Sequence, residues 1–136
     1  MAYCSRAERC VAEVKEKLSK LNASDTACEQ IVEQLQALDF INEQRYAIAF
    51  VNDKFRFNKW GRVKIAAALR MKKIPSEVIE MALDELDEEV YECTLKNLLA
   101  AKYKQVKGTA AQQRAAVVRF ALSRGFEYAC IERCLS

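Results

Sequence analysis

Asp39-Phe40-Ile41-Asn42-Glu43-Gln44-Arg45-Tyr46-Ala47 opens a stretch that continues through Phe50-Val51, Lys59-Trp60-Gly61-Arg62-Val63-Lys64-Ile65 and Leu69-Arg70-Met71-Lys72-Lys73-Ile74-Pro75. Its punctuation decides the fold. Asn42 is a good helix N-cap, and the negative charge of Glu43 suits a first turn. Gly61 allows the backbone to turn sharply, and Pro75 fits the first turn of a further helix. The stretch therefore predicts three helices joined by two tight turns. Tyr46, Phe50 and Phe57 are expected on one side of the first, and Ile65 and Leu69 form an i, i+4 core pair in the second. Val78, Ile79, Ala82 and Leu83 are expected to point inward from the third.

The same punctuation extends in both directions. Upstream, a helix over about 5–21 carries Val11, Val14 and Leu18. Ser24-Asp25 caps another, over about 25–38, striped with Cys28, Ile31, Val32, Leu35 and Leu38. Downstream, a helix over about 87–105 holds Val90, Leu95, Leu98 and Leu99. Thr109 and Gln112 make a capping-box pattern for a helix that places Val117, Phe120 and Ala121 on one face and Arg119 roughly opposite. Gly125 ends it, and a last helix carries Ile131 and Leu135. Residues 70–79 parallel 122–131, and an offset of 52 matches Lys72 to Arg124, Ile74 to Phe126, Ile79 to Ile131 and Leu83 to Leu135. The first two helices read as a shortened version of this unit. Such a period points to stacked modules, each too small to bury its apolar face alone. The expected fold is all-α, with three tandem helical modules at 1–39, 40–86 and 87–136.

Composition agrees. Three glycines and one proline in 136 residues are too few for a β-rich chain of this length, and good helix formers dominate. No apolar run approaches the roughly 20 residues that span a bilayer. The N-terminus lacks a signal-peptide pattern, so the expected location is the cytoplasm. Six cysteines, Cys4, Cys10, Cys28, Cys93, Cys130 and Cys134, include no Cys-x-x-Cys pair, and there is no histidine. Zinc sites usually need such pairs. Cys130 and Cys134 share a helical face, but small core residues are the favoured reading for all six.

The net charge of +3 hides strong blocks. Between Asp53 and Lys73 the bases are Lys54, Arg56, Lys59, Arg62, Lys64, Arg70, Lys72 and Lys73, with no acid after Asp53. Residues 77–92 then hold only acids, and 96–124 only bases. Catalysis is disfavoured: histidine, the commonest general base, is missing, and three isolated glycines make no phosphate loop. Binding fits better, since bases around a helix–turn–helix meet phosphates well. Phe55, Phe57 and Trp60 sit among those bases. Trp60 is expected to cap the inter-helix core, while Phe55 and Phe57 cannot both face inward.

In order, these segments resemble the RecX family of bacterial RecA regulators. The acidic-apolar entry 39–47, the aromatic-basic stretch 50–57, Gly61-Arg62-Val63-Lys64-Ile65, and Arg119-Phe120-Ala121-Leu122-Ser123-Arg124-Gly125-Phe126 carry the likeness. The resemblance implies three three-helix repeats in an elongated, curved body. It implies a regulator, in the inhibitory direction, that lies in the groove of the RecA–DNA filament and restrains ATP hydrolysis, strand exchange and the SOS response. A monomer without cofactors, binding free DNA weakly, is expected. Lys59, Arg62, Lys64, Lys72, Lys73, Arg114, Arg119 and Arg124 are the expected partner- and DNA-contacting residues. The alternative is a helical DNA- or RNA-binding module acting alone. Two departures from the family pattern stand out. Ala66-Ala67-Ala68 replaces longer polar residues, and Lys73 occupies a position where the family often has glycine.

Overall fold

The computed structural model describes residues 10–20, 24–37 and 42–136. Eight helices lie among them: α1 (Val11–Lys20), α2 (Asp25–Ala37), α3 (Glu43–Asn58), α4 (Arg62–Met71), α5 (Ser76–Asp84), α6 (Glu88–Gln105), α7 (Ala110–Ser123) and α8 (Tyr128–Leu135). No strand occurs among the described residues. The expected residues 5–9 of the first helix, and Leu38, lie outside them.

The expected caps form. The Ser24 hydroxyl accepts from the Ala27 N–H at 3.2 Å, and the Asn42 side chain from the Arg45 N–H at 3.0 Å. Thr109 and Gln112 close a reciprocal capping box at the start of α7. Asp87 caps α6 by accepting from the Val90 N–H. Pro75 stands at the N-cap of α5, one residue earlier than a first-turn position.

Packing groups α1 with α2, then α3, α4 and α5 with one another, then α6, α7 and α8. The internal repeat holds atom by atom. Ile74 N–H donates to the Leu69 carbonyl at 3.2 Å, and Phe126 N–H donates to Ala121 at 3.2 Å. Lys73 N–H donates to Arg70 as Gly125 N–H donates to Leu122. Both chains leave the helix through a left-handed residue, Lys73 (φ 62) or Gly125 (φ 93). The αL exit supplies donors to the last carbonyls of α4 and α7.

The α3–α5 and α6–α8 groups share one core, which includes Val51, Phe55, Ile65, Leu69, Tyr91, Leu95, Val117 and Phe126. The first pair of helices keeps a separate core of Val14, Leu18, Cys28, Val32 and Leu35. Three expectations are corrected. Phe57 does not share the inward face of α3: it is 74% exposed, and Phe55 is buried instead. Val90 is 52% exposed, and its neighbour Tyr91 takes the core position. The sharp turn after α3 is made by Lys59 (φ 57), whereas Gly61 is extended at φ −82, a conformation open to any residue.

Candidate nucleic-acid interface

Gly61 is needed for proximity. A β-carbon there would lie 2.4 Å from the Gly125 carbonyl oxygen. One at Gly125 would lie 2.3 Å from Lys64 Cβ, at a backbone angle that already disfavours side chains. The α3–α4 turn and the α7–α8 turn therefore meet backbone to backbone. Gly61 N–H donates to the Arg124 carbonyl at 2.7 Å, and Val63 N–H to Gly125 at 2.9 Å. Arg62 N–H donates to the Tyr91 hydroxyl at 3.0 Å. The first three donors of α4, which an open helix end would offer to an anion, are all consumed by this seam.

Tyr91 is the pin of the seam. Its ring packs between Phe55, at 5.6 Å, and Phe126, at 5.2 Å, with the Arg62 guanidinium 3.9 Å from the ring centroid. Its hydroxyl donates to the Glu127 carboxylate. Arg62 pairs with Glu127 at 2.7 Å and with Glu88. Burial, followed by the hydrogen bond to Glu127, pushes the Tyr91 hydroxyl well above its ordinary range. Burial alone would raise Glu127, but hydrogen bonds from Tyr91 and Arg62 outweigh it and hold the carboxyl below its usual value. Burial would likewise lower Arg62, but its bond to Glu127 leaves it raised. This half-buried pair stays charged.

The seam gathers bases and aromatic rings from both sides. Lys54 and Lys64 place their ammonium groups 5.0 and 4.6 Å from the centroid of Trp60. Arg124, held by the Asn58 carbonyl at 3.4 Å, lies 5.3 Å from the centroid of Phe120, and Lys102 lies 4.9 Å from the same ring. Lys59 is exposed at the turn itself. None of Lys54, Lys59, Lys64, Lys102 and Arg124 makes an ion pair among the described residues. Trp60 rests half-buried on the core, as a cap would. Lys54 and Lys102 are absent from the eight residues expected from the sequence to contact a partner or DNA. The one local signal for Lys54 is its i, i+4 relation to Phe50, whose ring it also covers at 5.5 Å.

The other expected residues lie elsewhere. Arg62, 19% exposed, is committed to the seam. Lys72 pairs with Glu13 at 3.1 Å, and Arg114 with Glu132 at 2.8 Å. Lys73 and Arg119 are exposed and make no ion pair among the described residues. Arg114 and Arg119 line a shallow groove between α7 and α8, together with Val118 and Tyr128.

No group of metal-ligating side chains occurs among the described residues. Burial raises the Cys10, Cys130 and Cys134 thiols, which makes them poor nucleophiles. Cys4 lies outside the described residues. No helix among the described residues is long and apolar enough to cross a membrane.

Known proteins share this sequence pattern and this fold. Residues 42–83 match the family model described as RecX, second three-helix domain. The regulatory protein RecX of Prosthecochloris aestuarii is 27% identical over 135 residues, covering 99% of this chain and 87% of that protein. Regulatory protein RecX of Clostridium perfringens is 26% identical, covering 87% of this chain, and that of Lactobacillus gasseri is 32% identical, covering 65%. The chain spans only 56% and 33% of the lengths of those two relatives. A crystal structure of RecX from Lactobacillus salivarius superposes with a TM-score of 0.89 at 23% identity, over 98% of this chain and 88% of that one. Another crystal structure of regulatory protein RecX gives 0.89 at 22% identity. The ordered motifs, the repeat and the fold agree with this likeness: residues 42–83 match a RecX second three-helix domain, and the chain is similar to regulatory RecX proteins along most of its length.

Proposed function

We propose that this protein restrains a RecA recombinase filament by lying in its groove, with the basic surface of the α3–α4/α7–α8 seam turned toward the bound DNA. The observation that carries this reading is the set of bases without an ion pair among the described residues, Lys54, Lys59, Lys64, Lys102 and Arg124, presented on one junction. A rigid frame keeps their positive field in place without an ordering cost at binding. Arg119, exposed on α7, extends the contact. Arg62, Lys72 and Arg114 serve it by holding the frame through their ion pairs. The mechanism is steric and electrostatic: modules 1–39, 40–86 and 87–136 span neighbouring recombinase subunits and oppose the rearrangements that accompany ATP hydrolysis and strand exchange.

A titration into the ATPase reaction of a RecA recombinase on single-stranded DNA tests this. Inhibition well below one protein per recombinase supports it, provided the protein does not sequester free DNA at those concentrations. No effect at equimolar protein sinks it. The bases shared by two helix–turn–helix-like turns also favour a second reading, phosphate binding without a recombinase. Tight, strongly salt-dependent binding to free DNA alongside an unaltered ATPase would select that reading.

A further inference from the structure

The junction between the first helix pair and the α3–α5 unit repeats the sealed seam with its sealing residues changed. Val14 N–H donates to the Cys10 carbonyl at 3.1 Å, as Ile65 N–H donates to Gly61 at 3.2 Å. Val14 and Leu18 are buried, as Ile65 and Leu69 are. Cys10 thus stands where Gly61 stands one module later, and Lys73 stands where Gly125 stands. Both positions therefore carry side chains where the sealed seam has glycines. No backbone hydrogen bond joins residues 10–13 to 72–73 among the described residues. The Cys10 and Val11 N–H groups donate instead to the carboxylates of Glu13 and Glu43, each at a long 3.4 Å. A cavity of about 370 Å³ remains, lined by Val11, Ala12, Lys15, Glu43, Lys72 and Lys73.

The lysines of this cavity are unusual in two ways. Lys73 sits at φ 62, a left-handed conformation unfavourable to any residue with a β-carbon. Strain retained at one residue is a mark of function when its side chain has a task, and here the side chain lines the cavity. In addition, Lys15 and Lys73 make no ion pair among the described residues, while Lys72 has Glu13. Lys15, Lys72 and Lys73 line the space from two sides, and Glu43 is the one acid lining it among the described residues. The wall formed by Val11 and Ala12 is apolar, which strengthens attraction for an anion.

We propose that this cavity binds a phosphate group, held by Lys15 of α1 and by Lys72 and Lys73 of the α4–α5 turn. Three lysines suit phosphate as a point charge, without the planar match that arginine and carboxylate require. The bound group would supply the link between α1 and α4 that Gly61 and Gly125 supply at the sealed seam. The site lies at the opposite end of α4 from the seam bases and does not rest on the filament reading. The phosphate belongs either to a free phosphorylated small molecule or to a nucleic-acid backbone.

The test follows the amide signals of Val11 and Ala12 by NMR in the full chain. Inorganic pyrophosphate and a short single-stranded oligonucleotide are titrated separately, with wild type, Lys73→Gly and Lys15→Ala. Lys73→Gly removes the ammonium while relieving the backbone, so its melting temperature stays at or above that of wild type. Saturable shifts with pyrophosphate, weakened about fivefold or more in both variants, support the site with a free ligand; about fivefold is a loss of roughly 1 kcal/mol. The same pattern with the oligonucleotide alone supports the site with nucleic acid as the source. No shift with either probe, or equal affinity in wild type and both variants, overturns it. Seam variants at Lys59, Lys64 and Arg124 leave these shifts unchanged, so this outcome and that of the ATPase titration are independent.

Discussion

Tyr91 pins the seam, because its hydroxyl both accepts from Arg62 N–H and donates to Glu127 while its ring is fully buried. Tyr91→Phe leaves a donor and a carboxylate without that partner, and a lost buried hydrogen bond costs about 1–3 kcal/mol. Urea unfolding should show that loss with an unchanged slope. The same group sets a pH window. Glu127 is held below its ordinary value, so its contribution is complete above pH 4.5 and is lost as pH falls through the lower folded value. Tyr91 is raised, so its contribution is complete below pH 10 and erodes as pH rises beyond it. Stability measured from acid to alkaline pH should decline on both sides, and Tyr91→Phe should flatten the alkaline decline. The sequence reading put Val90 in the core, whereas Tyr91, one turn before Leu95, takes that place. What decides the choice is Glu127, 36 residues away, and no local pattern reveals a partner at that distance.

At the scale of elements, the helices were legible because their signals are local. Caps at Ser24, Asn42 and Thr109 and the i, i+4 core pairs need only a few neighbouring residues. Thr109→Ala should cost about 1 kcal/mol by removing one half of the capping box. The glycine pair is different. Gly61 reads as a turn residue, yet its role is to let Gly125 approach, and that follows only from the docking of two turns. Gly61→Ala must push the turns apart, at the 1–3 kcal/mol typical of overpacking. Gly125→Ala adds the cost of a left-handed backbone and should be the worse of the two. Thermal melts of both variants, with Trp60 fluorescence as a local probe of the seam, check the order. An unperturbed Gly61→Ala protein would refute the close approach.

The whole molecule is a chain of similar units joined by dissimilar seams. The α3–α5 and α6–α8 groups share one core and a sealed backbone contact, whereas α1 and α2 keep a core of their own. The charge blocks signalled that a basic surface exists, and the eight bases singled out from sequence include the seam bases Lys59, Lys64 and Arg124. The sequence did not show that Arg62, Lys72 and Arg114 are internally paired, since their acids Glu127, Glu13 and Glu132 lie far off along the chain or in another unit. It also left out Lys54 and Lys102, which reach the seam only once Trp60 and Phe120 are placed. If the seam meets phosphates, each lysine removed should lower the slope of log affinity against log salt by about one.

The most direct measurement compares RecA ATPase inhibition by wild type, by the triple variant Lys59→Ala/Lys64→Ala/Arg124→Ala, and by Lys96→Ala/Lys104→Ala/Lys107→Ala, which removes equal charge elsewhere. The seam reading predicts that the first triple loses inhibition about tenfold or more, roughly 1.4 kcal/mol of binding, while the second stays close to wild type. Equal inhibition by all three proteins, each shown to be folded, would contradict it.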